Sequence, residues 1–476
     1  MNLFFDALRR RLAFSLVLSV SLLAAQVATA QEEASNVENI VESLEAQANP
    51  DALAAIDLYI GGDVDGAYNL FTKVYDSNQD SDPPGVLLAL LHSHAGRFLE
   101  MRRSLEKTAE DYPTDPEAFL QLAGIDVKEG RYLEAELLLE RAERLTEEYP
   151  KQHSESTSRL AYLKEEALSA RANLAEARGR YETAKEFVQK IVEVNPTNPT
   201  ARWNLGYLSM KLNDFDGAEL AFDEAAKLNS ELWPGWLQVP SVLDREDRVE
   251  EGKARLASSA DKLSAATNAQ RAQVARLYLR WNMIEEATSI IQEFETANDE
   301  NDINRWLLPG WLALYASQYA IAEENFRNAT LLDDSNSEAS NGLALALLDQ
   351  NNKEKLARAR TIAAKNYRAN PDSADFAGTY AWTLFLSGNA KEADAIFQPM
   401  LQSGRASATS VYYLAEIANV RGDQSLALNL VNLALSHRSN FPKRAAALEL
   451  RKMLDPSEEE DEESQETGAE EGNDAK

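Results

Sequence analysis

Catalysis needs side chains that can hold a metal, carry a proton or attack a carbon, and this chain offers few. It has four histidines, His92, His94, His153 and His437. His92 and His94 are two residues apart and so turn to different faces of a helix. The other two lie far off in sequence, and no ligand cluster can be assembled from the four. There is no Cys, hence no thiolate nucleophile and no disulfide. A glycine-rich phosphate loop, a Gly-x-Ser-x-Gly elbow and a His-Glu-x-x-His pair are also missing. Among 78 acidic residues some carboxylate pairs arise from composition alone, so their proximity in sequence does not indicate acid–base work. The expectation is a protein that is not an enzyme and has no cofactor and no metal.

The aromatic residues remain. Six of the seven Trp fall between residues 203 and 311, namely Trp203, Trp233, Trp236, Trp281, Trp306 and Trp311, and Trp382 follows. Large rings either fill gaps between helices or receive a partner's apolar side chains. Which of the two holds depends on the elements that carry them.

Those elements repeat. A small residue recurs at Ala67, Met101, Ala135, Ala184, Ala218, Gly252, Ala287, Ala322, Ala359, Ala393 and Ala427, mostly 34 or 35 residues apart. Counting nineteen residues back gives unit starts at 48, 82, 116, 165, 199, 233, 268 and 303; the ninth unit starts at 337 with three inserted residues, and the last two at 374 and 408. Each unit reads as a helix A and a helix B. Gly96, Gly130, Gly179, Gly388 and Gly422 share unit position fifteen, where a helix must stop and a left-handed residue reverses the chain cheaply. Pairs such as Leu122-Ala123, Leu205-Gly206 and Leu414-Ala415 place a small residue where helix B crosses helix A. Phe71, Leu105, Leu139, Val188, Phe222, Ile291, Phe326, Phe397 and Val431 supply the next layer. Pro113, Pro196 and Pro371 close units at position thirty-two.

This pattern resembles the tetratricopeptide repeat family over residues 48 to 441. The resemblance implies an all-α fold, a right-handed α-solenoid of about eleven helix pairs with a C-terminal capping helix. It departs from the family at Met101 and Gly252, at Trp203, which falls one residue late for the first-turn aromatic, and at Pro240 and Pro309. Those two Pro lie inside a helix A and are expected to kink or shorten it. Also implied is that helix A positions five, nine, twelve and thirteen line a concave groove. Trp203, Tyr207, Met210, Leu237, Leu307, Trp311, Tyr315, Trp382 and Phe385 stand at those places. They form the candidate partner-binding set, for a protein or peptide with apolar anchor residues. Family members that clamp a C-terminal carboxylate carry Lys and Asn at positions five and nine of a first unit. Ala52, Ile56, Val86 and Leu90 stand there in the first two units here, which argues against such a clamp.

The organisation read from the chain is as follows. Residues 1–30 form a signal peptide: Arg9, Arg10 and Arg11 precede an uncharged run from Leu12 to Ala25, and Ala28-Thr29-Ala30 offers a cleavage site. A lead-in spans 31–47, units one to three span 48–149, and a polar insertion at 150–164 marks a seam. Units four to eleven span 165–441, and a capping helix spans 442–454. Residues 455–476, with eleven acids and one base, are expected to be disordered. This tail reads as a solvating appendage, as an arm for a basic partner, or as a weak divalent-ion site.

The formal charge is -30. It makes nucleic acid and anionic membrane surfaces poor partners, and no membrane span is expected after signal cleavage. The functional expectation is a non-catalytic protein–protein interaction scaffold in a bacterial cell envelope, exported by a Sec-type signal to the periplasm or beyond. The alternative is a self-assembling structural or surface component of the envelope. Cleavage should leave Gln31 as the first residue of the mature chain. N-terminal sequencing of envelope material is expected to begin there, and recovery of Met1 would refute it.

Overall fold

The computed structural model describes residues 50–77, 81–152, 157–296, 299–402 and 406–455. The signal peptide, the lead-in and the acidic tail read from the sequence lie outside them. Among the described residues there are 24 helices and no strand, and none of these helices is long and apolar enough to cross a membrane.

The helices come in eleven successive pairs. The first three are α1 (Pro50–Ile60) with α2 (Val64–Ser77), α3 (Pro84–His94) with α4 (Phe98–Asp111), and α5 (Glu117–Lys128) with α6 (Tyr132–Gln152). The fourth and fifth are α7 (Thr157–Ala177) with α8 (Tyr181–Val194) and α9 (Pro199–Lys211) with α10 (Phe215–Leu228). In the sixth, α11 (Gly235–Arg245) meets α12 (Val249–Ala257), followed by one short turn, α13 (Ala260–Ser264). Then come α14 (Asn268–Arg280) with α15 (Ile284–Thr296) and α16 (Asn304–Tyr315) with α17 (Tyr319–Leu332). The ninth pair is α18 (Ser337–Leu348) with α19 (Lys353–Ala369). The last two are α20 (Ala374–Leu386) with α21 (Ala390–Gln402) and α22 (Ala408–Val420) with α23 (Gln424–Ser436). A capping helix, α24 (Arg444–Leu454), ends the array. The fold is an α-solenoid of helix pairs. Ten of the eleven first helices begin within two residues of the start read from the sequence; the exception is α7.

Two constraints set the repeat. The first is at the turn within each pair. Gly62, Gly96, Gly130, Gly179, Gly388 and Gly422 there have φ from +67° to +89°. The other five turns place Asn213, Asp247, Asn282, Ser317 and Asn351 in the same left-handed region, which Asn and Asp tolerate better than other side chains do. All eleven stand at position fifteen, so the structure extends to every unit the turn that the sequence reading marked in five. The second constraint is the approach of the paired helices. The nine Ala of the recurring small position are each 0% exposed. At Gly206 a Cβ would stand 2.7 Å from the Phe222 ring, so that site accepts no side chain without moving helix B. Pro240 and Pro309 do not interrupt their helices: α11 and α16 run through them. Each loses one backbone bond near its start, which an otherwise well-packed helix absorbs.

By internal contacts the chain divides into two compact units at Val239 and Pro240, within α11. The sequence placed a seam at 150–164 instead. Most of that insertion is helical, because it lengthens α6 and α7 to 21 residues each. The lengthening has a purpose in the first unit. It carries Arg159, which is 0% exposed, between two buried carboxylates. Its Nη1 donates to Asp82 at 2.7 Å and its Nη2 to Asp115 at 2.9 Å. Burial opposes the guanidinium charge, but Asp115, Asp82 and Glu117 outweigh it and hold the group protonated. Asp115 also accepts from the Glu117 amide at 2.9 Å, which fixes the start of α5. The insertion therefore braces the second and third pairs from the fourth.

In the second unit the chain after α23 returns across earlier turns. The amides of Arg438 and Ser439 donate to Asp247 Oδ1 at 2.7 and 3.3 Å, and Ser439 Oγ bonds Asp244 at 3.0 Å. The Asn440 amide donates to the Arg280 carbonyl at 2.5 Å, and its side chain donates to Asn282 at 3.2 Å. Lys443 pairs with Asp349 and donates to the Tyr319 hydroxyl at 3.3 Å. Asp247 and Asn282 are turn residues at positive φ, and glycine there would offer no side chain to this segment.

Removing one member of a buried charge cluster strands the others, at about 3–5 kcal/mol. Arg159→Ala is therefore expected to lower the thermal midpoint of the first unit by several degrees or more. Asp82→Asn with Asp115→Asn in the same background should recover part of the loss. An Arg159→Ala midpoint equal to wild type would remove the brace.

Candidate functional site

The first unit contains a trough built by α5, α7 and α9. One cleft of about 380 Å³ lies between α5 and α7, lined by Gln121, Gly124 and Lys128 on one side and Glu166, Ser169, Asn173 and Glu176 on the other. A smaller cleft continues from Ser169, Asn173 and Glu176 to Asn204, Tyr207 and Leu208 of α9. Helical periodicity explains the lining, since Glu166, Ser169, Asn173 and Glu176 follow one another at three- and four-residue steps and so share a face. Leu120, Val127 and Leu208 are buried and form the apolar part of the lining.

Three of these polar groups are not consumed by the fold. Among the described residues Ser169, Asn173 and Asn204 make no side-chain hydrogen bond. Neighbouring carboxylates outside the trough, in contrast, accept side-chain hydrogen bonds. Glu165 accepts from Asn195 at 3.2 Å and Asn198 at 2.5 Å, and Glu117 accepts from Tyr162 at 3.0 Å and Gln121 at 3.2 Å. Burial, followed by the charges of Glu117, Glu165 and Asp82, pushes the Glu166 carboxyl up to about 8. Burial also raises Glu176, against an opposing pull from Lys211. The trough thus holds the Glu166 carboxyl, raised by burial and by neighbouring carboxylates, and the Glu176 carboxyl, which Lys211 partly compensates, amid free amides and a hydroxyl. It can hydrogen-bond an extended backbone through Asn173 and Asn204 and can receive a positive charge at Glu166 or Glu176.

The nine residues singled out by the sequence divide differently. Met210 and Leu237 are 0% exposed, Leu307 1% and Trp203 8%; these four are packed in the core, because they lie on sides of helix A covered by neighbouring helices. Gly206, one turn from Trp203 and Met210, marks that closeness. Tyr207, Trp311, Tyr315, Trp382 and Phe385 are partly exposed, but their rings are mostly engaged. Tyr207 stacks on Trp203 at 5.7 Å between centroids. Trp311 donates its indole N–H to Glu338 at 2.7 Å and meets Phe326 edge-on at 5.3 Å. Trp382 stacks on Phe385 at 5.7 Å and on Tyr413 at 5.0 Å. Tyr315 lies beside Arg280, Asp244 and Asp375, and burial pushes its hydroxyl up to about 12. Only Tyr207 lines the trough. Gln121, Glu166, Asn173, Glu176 and Asn204 escaped the sequence reading, although Asn173 and Glu176 occupy helix A positions nine and twelve. The position rule pointed at them, and the search for aromatic rings passed them by.

Among the described residues no group of three His, Cys, Asp or Glu is placed to hold a metal. His92 is a core residue, with Nδ1 3.0 Å from the Tyr59 hydroxyl.

The geometry defines a class, the helix-pair α-solenoids. Comparison with known families narrows it. The tetratricopeptide repeat model matches residues 169–235 and 307–374, which cover most of the fourth and fifth pairs and of the eighth and ninth. These two stretches of the chain carry tetratricopeptide repeats. Solved structures similar to it include a tetratricopeptide repeat protein from Parabacteroides merdae, at 15% identity over 61% of this chain and 98% of that one, TM-score 0.32. The Cut9–Hcn1 hetero-tetramer of the APC/C matches at 14% identity over 84% and 82%, TM-score 0.36. Yeast Tom70 matches at 13% identity over 89% and 96%, TM-score 0.32. No curated protein matches the chain.

The elevated Glu166 carboxyl has a consequence for stability. Folded, it keeps its proton up to about pH 8; unfolded, it loses it near the ordinary value of 4.5. Between those limits the folded state binds more protons, so stability falls as pH rises from 4.5 to 8. Glu166→Gln is expected to flatten this slope and to raise the melting temperature at pH 8 to 9. An unchanged slope in that variant would place the carboxyl in an ordinary environment.

Proposed function

We propose that this protein is a scaffold that holds an extended segment of another polypeptide in the trough of its first unit. The tetratricopeptide fold generally serves protein–protein interaction and is generally non-catalytic. The observation that carries the reading is the unused hydrogen-bonding capacity of Ser169, Asn173 and Asn204 beside Glu166 and Glu176. Side-chain amides donate and accept at once, which suits a peptide backbone. The partner carries a basic side chain for the two carboxyls, and Tyr207 and Leu208 give it a small apolar contact. The apolar anchors expected from the sequence thus have a lesser share in this trough than charge and hydrogen bonding.

Export to the periplasm or beyond the cell is part of the same proposal. It is supported by the Arg9–Arg11 cluster, the apolar run to Ala25 and the Ala28–Ala30 site.

Pairing with a cation requires the Glu166 carboxylate, so affinity for a basic peptide should rise as pH is raised towards 8. The test is an array of extended ten-residue peptides with and without Lys or Arg, probed with wild type, Asn173→Ala and Glu166→Gln. Each lost neutral hydrogen bond weakens binding by about 0.5–1.5 kcal/mol and each charged one by about 1.5–3. Asn173→Ala should therefore lose up to about tenfold, and Glu166→Gln should lose the preference for Lys and Arg, with helical content unchanged. Equal binding by all three proteins would move the site elsewhere.

A further inference from the structure

Helix α19 departs from the charge of its chain. Acids outnumber bases by 78 to 48 overall, yet Lys353–Ala369 holds six bases and one acid. The fold uses one of the six: Lys355 Nζ donates to Glu323 at 2.6 Å. None of the other five, Lys353, Arg358, Arg360, Lys365 and Arg368, has an ion pair among the described residues. Lys353, Arg360, Lys365 and Arg368 line an open cleft of about 610 Å³, together with Tyr380 of α20 and Ser387 just after it. Like charges at helical spacing repel one another. In a strongly acidic protein, five unpaired cations along one helix are a cost that a bound anion would offset.

The chain contains such an anion. Residues 455–476 carry eleven acids and one base, with six consecutive acids from Glu458 to Glu463. Most of this segment lies outside the described residues, but its attachment does not. Lys443, the residue before α24, pairs with Asp349, four residues before Lys353. The start of α24 is therefore close to the start of α19, and α24 itself is about 17 Å long for its 11 residues. The 22 residues beyond Leu454 span up to about 70 Å when extended, several times the length needed to return to the cleft. The basic stretch of α19 is about 23 Å long, a match for a short acidic run. A long nucleic acid laid there would meet the field of a chain with net charge -30.

We infer that the acidic segment 455–476 docks in the cleft of α19, with Glu458–Glu463 against Lys353, Arg360, Lys365 and Arg368. The contact is made by exposed charges, so it weakens as the screening length falls below about 10 Å above 0.1 M salt. Docking covers the one strongly basic surface described, and another acidic segment binds there only by displacing the tail.

The test uses the full chain and a zero-length carbodiimide, which joins carboxylates to Lys amines, followed by mass spectrometry. At 20 mM NaCl the cross-links of Glu458–Glu463 should fall on Lys353 and Lys365 at least five times more often than on any other Lys. They should drop at least fivefold at 0.5 M NaCl and in Arg360→Glu/Arg368→Glu, with circular dichroism unchanged. The salt arm keeps the test valid if that variant folds poorly. A mixture of light and isotope-labelled chains distinguishes the tail's own cleft from that of a second copy. Cross-links spread over all exposed Lys, absent at low salt, insensitive to salt, or mainly between light and labelled chains would each overturn the proposal.

Discussion

A helix can turn back on itself within three residues only if one residue takes a left-handed backbone, and that requirement organises this protein. Eleven such residues, all at the same place in the repeat, set the eleven helix pairs. Once the turn is fixed, the second helix must cross the first at one height. There the nine buried Ala permit contact, and in all but one of those pairs a larger apolar side chain four residues on fills the remaining space. No single pair buries both its faces; each needs its neighbours, which is why the array continues and why a capping helix covers the end.

The two units use their departures from the repeat differently. The first turns its fifteen extra residues into length on α6 and α7 and so delivers Arg159 to two buried aspartates. Three elements distant in sequence are tied by one guanidinium, and the trough beside them is held by a stiff frame. That frame leaves Asn173 and Asn204 free, while the adjacent Glu165 accepts from Asn195 and Asn198. Rigid walls with unspent hydrogen-bonding groups suit the capture of a polypeptide backbone, since little ordering entropy is lost on the protein side.

The second unit uses side chains at turns. Asp247 and Asn282 hold left-handed backbones that glycine would adopt at less strain, and their carboxylate and amide receive the chain that returns after the last pair. Lys443 extends that contact to Asp349 and Tyr319. The aromatic residues in this unit are absorbed by the same closure: Trp382, Phe385 and Tyr413 cover one another, and Tyr315 lies among Arg280, Asp244 and Asp375.

By itself, the sequence determined the repeat, its register and the fold class. Steric rules act locally, and a turn residue, a small residue and a larger apolar side chain at fixed spacing satisfy them in a helix pair. It also determined the capping helix, through the apolar Ala446, Leu450 and Met453, although the structure buries Ala447 and Leu450. It did not determine which groove-facing residues are free. Trp203 and Met210 occupy positions that the repeat turns inward, yet the closeness of α9 to its neighbours buries them. Only the tertiary structure decided that polar residues of α5, α7 and α9 form the open trough, that the insertion is a brace, and that the end of the chain fastens to turns some 190 residues earlier. Those outcomes depend on contacts between residues distant in the chain, and a period of 34 residues carries no information about them.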